Sequence, residues 1–201
     1  SSPHADSHTM EDQLADLDAL VTSVRQQTGS AGAPILLGHS MGAKTALAYA
    51  MLHPTRVDSV ISLDAAPAAY THTHSRVFAA MQALDLSAVR SRSHALELLA
   101  PHLPDHNDRA FVLTNLKEQT APGVPRWRWR ANVRTLAAFE PHVHGWPSAL
   151  LEGKRFDGPA LFVGGKKSTR LTTPDYLREL PQLFPRHRLE MLEAGHFVHH
   201  Q

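Results

Sequence analysis

In "PILLGHSMGAKTALAYA", residues 34–50, an apolar run stops at a glycine and a serine stands between two glycines, Gly38-His39-Ser40-Met41-Gly42. G-x-S-x-G between a predicted strand and a predicted helix is the mark of a nucleophilic serine on a sharp strand-to-helix turn. The turn lifts the hydroxyl above the edge of a sheet, and bulky side chains two residues before or after it would collide there. The following helix points its N-terminus at the serine. Its leading N–H groups, starting with Met41, are placed to hold a developing oxyanion. A serine that merely caps a helix needs no flanking glycines after an apolar strand. Ser40 is therefore read as a nucleophile.

A serine hydroxyl needs a base. His196, in "EAGHFVHH", follows the final predicted strand and a glycine that lets the loop turn inward. His199 and His200 lie farther along a polar tail, and His39 is expected to point away from its neighbour Ser40. Two acids compete for the third role. Asp64 closes the apolar strand "VISLD", beside the strand that carries Ser40. It lies at the carboxyl edge, where open α/β sheets gather their ligands. Asp175 falls in the first turn of a predicted helix, where an acid favours the helix dipole. Asp64 is preferred, with Asp175 as runner-up.

These residues need a scaffold. Residues 9–28 predict a helix with Leu14, Leu17, Leu20, Val21 and Val24 on one face. Thr9 and Asp12 form a capping box at its start, and Gly29 ends it. A strand over 35–38, a helix over 41–52 and a strand over 57–63 make a βαβ unit with a parallel pair. Residues 68–150 then predict helical pieces with little strand: around Val77, Met81 and Leu84, around Leu96 to Leu99, "DRAFVLTNL", and "ANVRTLAAFE". Between the last two, "RWRWR" suits a short extended segment. The α/β rhythm returns with a strand in "PALFVGG", a helix in "TPDYLRELPQLF" and a strand in "HRLEMLE". The expected architecture is a mainly parallel α/β core, residues 1–67 and 151–201, interrupted by a helical lid, 68–150. Phe78, Met81, Phe111 and Trp127 could line an acyl pocket under such a lid, but lid core is the preferred reading.

Composition narrows the chemistry. The chain has 201 residues, 42% hydrophobic and 19% charged, with a formal net charge of +1. Near-neutral charge leaves no electrostatic footprint for nucleic acid or an anionic membrane, and RWRWR lacks the broader basic patch that nucleic-acid binding needs. Without cysteine there is no disulfide, thiolate zinc site or cysteine nucleophile. No apolar run approaches a membrane span. Fifteen histidines include the pairs His72/His74 and His142/His144 and a tail of His196, His199 and His200. No HExxH or suitably spaced carboxylate accompanies the pairs, so they are read as surface polar residues and not as a metal site. Neither metal nor organic cofactor is implied.

At this point a family resemblance emerges. "GHSMGAKTALAYAMLHPTRVDSVISLDAAP" resembles the elbow region of one α/β-hydrolase group. That group holds small bacterial serine esterases acting on short-chain and acyl-CoA esters, and mitochondrial abhydrolase-domain esterases. "TMEDQLADLDAL", "FAAMQALDLS", "VLTNLKE", "WRWRANVRTL", "GPALFVGGKKS" and "LFPRHRLEMLEAGHFVHH" resemble further blocks of the group, in the same order. The resemblance implies an α/β-hydrolase fold and a triad in the chain order Ser40, Asp64, His196. Most members of the fold carry the acid after the strand preceding the histidine strand, where this chain reads "GGKKSTRLTTPDY"; the other known place is the position of Asp64. Some members of the group have an acidic residue where this chain has "NVRTL" with Arg134, so that assignment does not transfer. The resemblance also implies a His-Gly loop, upstream of this segment, supplying a second oxyanion donor. "SSPHADSHTMED" resembles the middle of the family sequence, so the chain is expected to be a piece of a longer protein.

The expected function is hydrolysis of carboxylic esters, or thioesters, of small acyl substrates through an acyl-enzyme. The alternative is a non-catalytic module that binds a ligand or protein on the same fold. An intracellular location is expected, cytoplasmic in a bacterium or mitochondrial in a eukaryote, with any targeting region upstream. The sequence does not specify the oligomeric state.

Overall fold

The computed structural model describes residues 4–71 and 74–199. Two compact units divide the chain: Ser1–His8 with His72–Pro141, and Thr9–Thr71 with His142–Gln201. The sequence expectation differs at both ends of the insertion, and it places the first eight residues with the core and not with the inserted segment.

The larger unit opens with α1, Met10–Thr28. Thr9 caps it, its hydroxyl accepting from the Asp12 N–H while the Asp12 carboxylate accepts from the Thr9 N–H. Gly29 closes it in the left-handed region, at φ 66°, a conformation that costs glycine nothing. β1 (Ile35–His39), α2 (Met41–Leu52), a single 3₁₀ turn (Pro54–Arg56) and β2 (Ser59–Leu63) follow as a βαβ unit. After the inserted unit come β5 (Ala160–Gly165), two short helices, α8 (Pro174–Leu177) and α9 (Leu180–Leu183), and β6 (His187–Leu192). The four strands form one parallel sheet in the order β1-β2-β5-β6. Leu36, Val60, Ala160 and Phe162 line one face, where they join Leu47, Met51, Phe156, Leu171 and Phe184 in the core.

α2 is buried almost all round, from Ala43 to Met51. Two of its polar groups tie it to α1. The Thr45 hydroxyl donates to Gln13 Oε1 at 2.8 Å, and the Tyr49 hydroxyl donates to Asp18, which also pairs with Arg56. α1 touches this core along a narrower stripe than the sequence predicts. Met10, Leu14 and Val21 are buried, while Leu20 and Val24 are 58% and 47% exposed. The single helix expected over "TPDYLRELPQLF" is instead two turns. Pro181 lacks the N–H that would continue the ladder to Leu177, and α9 restarts around it.

The smaller unit holds α3 (Ser75–Ala83), α4 (Arg92–Leu99), α5 (His106–Leu113), β3 (Leu116–Glu118), β4 (Trp127–Trp129) and α6 (Val133–Ala138); α7 (Glu140–His144) spans the boundary between the units. RWRWR is extended, as its alternation predicts, but it pairs antiparallel with Leu116–Glu118. The predicted helix "DRAFVLTNL" therefore ends at Leu113, and its last residues turn into β3. Met81 and Trp127 belong to this unit's core, with Phe78 packed against it, whereas Phe111 is 50% exposed. Among the described residues no helix is long and apolar enough to cross a membrane.

Candidate active site

The site lies within the larger unit, at the carboxyl ends of its strands. β1 ends at His39 and α2 begins at Met41, so Ser40 alone makes the corner. Its φ is 55°, its ψ is −119°, and its N–H donates to the Leu63 carbonyl at 3.0 Å, carrying the β1–β2 ladder one residue beyond the strand. Asp64 does the same one strand over, with φ 49° and its N–H on the Val163 carbonyl at 2.8 Å. Among the described residues, these two are the only non-glycines at positive φ. Such backbone costs about 1–3 kcal/mol each and persists where the surroundings over-determine it.

The elbow glycines are not equivalent. A Cβ on Gly38 would come within 2.3 Å of the Gly42 carbonyl oxygen, so the strand end and the helix can approach only through glycine. A Cβ on Gly42 would meet nothing within 4 Å. The collision expected on both sides of the serine is real on the strand side alone.

His196, after β6, joins the two corners. Its Nε2 lies 3.1 Å from Ser40 Oγ and its Nδ1 lies 2.7 Å from Asp64 Oδ2. Asp64 is fully buried and takes two further hydrogen bonds, from the Gly165 N–H at 3.0 Å and the Ser168 hydroxyl at 2.5 Å. Burial pushes the Asp64 carboxyl up. The donors His196, Ser168 and Gly165 outweigh it and hold the acid below the usual carboxylate range. Gly165 lets the histidine loop close onto β5, since a Cβ there would fall 2.1 Å from the Gly195 carbonyl oxygen. Asp175, the rival acid, is exposed and pairs with Arg178 on its own short helix.

Three participants escaped the sequence reading. Ser168 sits in "GGKKSTR", the loop where most members of the fold carry the acid; instead of an acid it supplies a hydroxyl that steadies one. His39 does point away from Ser40, but its Nε2 lies 2.9 Å from the His196 carbonyl oxygen, and its ring centroid lies 4.6 Å from that of His196, tilted, and 4.6 Å from that of His199, edge-on. Lys44, one turn into α2, is 1% exposed. Its Nζ donates to the carbonyls of His144 and Gly145 at 2.5 and 3.0 Å and sits 3.5 Å from the centroid of the Tyr70 ring. Burial, with Arg170 nearby, pushes the ammonium down to about 7. A lysine two residues past a G-x-S-x-G motif, on an alanine-rich helix, is the available signal.

Of the histidine pairs, His72 and the tail residue His200 lie outside the described residues. His144 is buried, and its carbonyl serves Lys44 and the Tyr70 N–H. Among the described residues no group of three or more His, Asp or Glu side chains could hold a metal ion.

A family model described as alpha/beta hydrolase fold matches residues 1–201. The chain belongs to the α/β-hydrolase fold family. It is 29% identical over 206 residues to the sn-1-specific diacylglycerol lipase ABHD11 of Danio rerio, an alignment covering 98% of this chain and 61% of that protein. It is 32% identical over 165 residues to Esterase YbfF of Escherichia coli, covering 81% of this chain and 60% of the relative. Its fold is similar to a solved marine microorganism esterase with a TM-score of 0.85 at 26% identity, over 98% of this chain and 74% of the other. The chain spans about three fifths of the length of these curated relatives.

Proposed function

We propose that this chain carries the catalytic centre of a serine hydrolase that cleaves carboxylic esters through an acyl-enzyme. The observation that carries the reading is the unbroken chain of hydrogen-bond distances from Ser40 through His196 to buried Asp64. In this reading His196 Nε2 takes the Ser40 proton as Oγ attacks the acyl carbonyl, and the imidazolium later delivers that proton to the departing alcohol. The Asp64 carboxylate accepts from Nδ1–H, fixing the tautomer that leaves Nε2 basic. The Met41 N–H, at the head of α2, stabilises the oxyanion. Water then attacks the acyl-enzyme with His196 again as base. The same chemistry serves an ester or a thioester.

The names of the relatives, an esterase and a diacylglycerol lipase, set the range of substrates to try. The direct experiment exposes the chain to a fluorophosphonate probe and locates the adduct by mass spectrometry, beside hydrolysis assays from p-nitrophenyl acetate to a diacylglycerol. An adduct on Ser40, absent in Ser40→Ala and lost with His196→Ala, supports the reading. A folded chain that takes no label and hydrolyses nothing overturns it for this chain and favours a non-catalytic binding role.

A further inference from the structure

The β3–β4 hairpin carries a feature that ester hydrolysis does not use. A cavity of about 450 Å³ opens beside it, lined by Arg92 from α4, Lys117 from β3, and Arg128 and Arg130 from β4 and its end. Lys117 and Arg128 stand directly opposite each other in the antiparallel register. Like charges so placed are destabilising unless something between them is negative. The one acid in the lining, Glu118, is committed elsewhere, accepting from Arg126 Nε at 2.7 Å. Among the described residues none of the four cations forms an ion pair with a carboxylate.

The cavity is also partly pre-set. Arg92 donates to the carbonyls of Leu113 and Leu116, which anchors the guanidinium at the junction of α5 and β3. A guanidinium has five N–H donors, so this anchoring leaves others for a ligand. The Thr114 hydroxyl donates to Phe111 O, so recognition falls to the cations.

We propose that the hairpin and Arg92 form a binding site for a phosphate group, on a small molecule or a lipid headgroup. A single carboxylate would answer one of four charges. A phosphate monoester or diphosphate carries several charged oxygens, and the planar Arg fork matches them in pairs. The site also accounts for the basic half of RWRWR: the tryptophans pack inward, Trp127 in the unit's core and Trp129 against it, while Arg128 and Arg130 face the cavity. The proposal does not depend on the Ser40 chemistry.

The test is isothermal titration of the whole chain with inorganic pyrophosphate and with inorganic phosphate, at constant ionic strength set by chloride. A parallel flotation assay uses phosphatidylcholine vesicles with and without phosphatidic acid. Saturable pyrophosphate binding, weakened about tenfold or more in Lys117→Ala/Arg128→Ala and unchanged in Arg134→Ala, supports the site with a soluble ligand. Recruitment to phosphatidic acid alone, with the same dependence on Lys117 and Arg128, supports it with a lipid source. Absence of both, binding that survives the double substitution, or equal loss in Arg134→Ala would overturn it. Tryptophan fluorescence and unfolding curves of the variants check that the hairpin remains folded, and Arg128→Gln serves if the double variant does not.

Discussion

His39 and His196 are joined through the backbone: His39 Nε2 lies 2.9 Å from the carbonyl oxygen of the residue whose own ring reaches Ser40. The neighbour of Ser40 therefore holds the loop that carries the His196 ring. Burial pushes the His39 imidazole down, which favours its neutral form at physiological pH. Replacing His39 with Ala should lower kcat about ten- to a hundredfold through misplacement of His196, with KM little changed. His39→Gln, which keeps a donor near that carbonyl, should recover much of the loss. Steady-state kinetics on a soluble ester decide the matter; a KM effect alone would assign His39 to substrate binding.

Asp64 and Asp175 make opposite predictions. Asp64→Asn keeps the shape but no longer enforces the productive tautomer, and kcat should fall by about 10⁴. Asp175→Asn removes only an exposed pair with Arg178, which is worth little, so kcat should be unchanged. A reversed result would transfer the acid role to Asp175.

Ser168 tunes Asp64. Since the folded carboxyl ionises below the usual range, its charged form contributes stability above the unfolded value of about 3.9, and that contribution is lost as pH falls through the lower folded value. Ser168→Ala removes one donor to the charged form. The acid limb of the stability profile should then move to higher pH, while stability near pH 7 falls by about 1 kcal/mol. Urea titrations across the acid range read both effects.

Lys44 is shifted in the same direction for the opposite reason: here the fold disfavours the charged form. Its ammonium is pushed down to about 7 in the fold and returns to its ordinary value when unfolded. Between those values the unfolded chain binds the extra proton, so stability rises with pH there. Compared with Lys44→Met, which fills similar volume without charge, the native chain should gain in relative stability from pH 7 toward pH 10. A flat difference would mean that the two carbonyls and the Tyr70 ring fully offset the buried charge.

The elbow glycines separate sterics from motif. Gly38→Ala must force strand and helix apart and should cost about 1–3 kcal/mol, with loss of Ser40 labelling. Gly42→Ala meets open space and gains helix propensity, so it should unfold within about 0.5 kcal/mol of the parent. Thermal unfolding of the two variants side by side is enough to distinguish them.

How far these relationships can be read without coordinates depends on their range. The Thr9–Asp12 box and the Gly29 stop involve residues within one turn, and both follow from residue type. The βαβ unit and the strand-end positions of Ser40 and Asp64 follow from apolar runs broken at the right places. Long-range geometry was less legible. That Leu20 and Val24 are exposed depends on how α1 lies against α2. The β3–β4 hairpin depends on a partner eleven residues upstream that resembles a helix end. Ser168 and the His39 contact with the histidine loop exist only because the sheet brings segments more than a hundred residues apart to one edge. Pro181 is legible in the sequence: its missing N–H splits a helix whose apolar pattern continues across it.

Ser40 follows β1, Asp64 follows β2, Gly165 ends β5 and His196 follows β6, so each strand of the sheet delivers one part. In the proposed mechanism, labelling of Ser40 then reports on register. A slip of one residue between any two strands would turn a side chain to the opposite face and extinguish labelling of Ser40, even where helix content survived. Probe labelling can thus serve as a quality assay for the sheet itself, ranking variants of the larger unit by whether all four strands are in place.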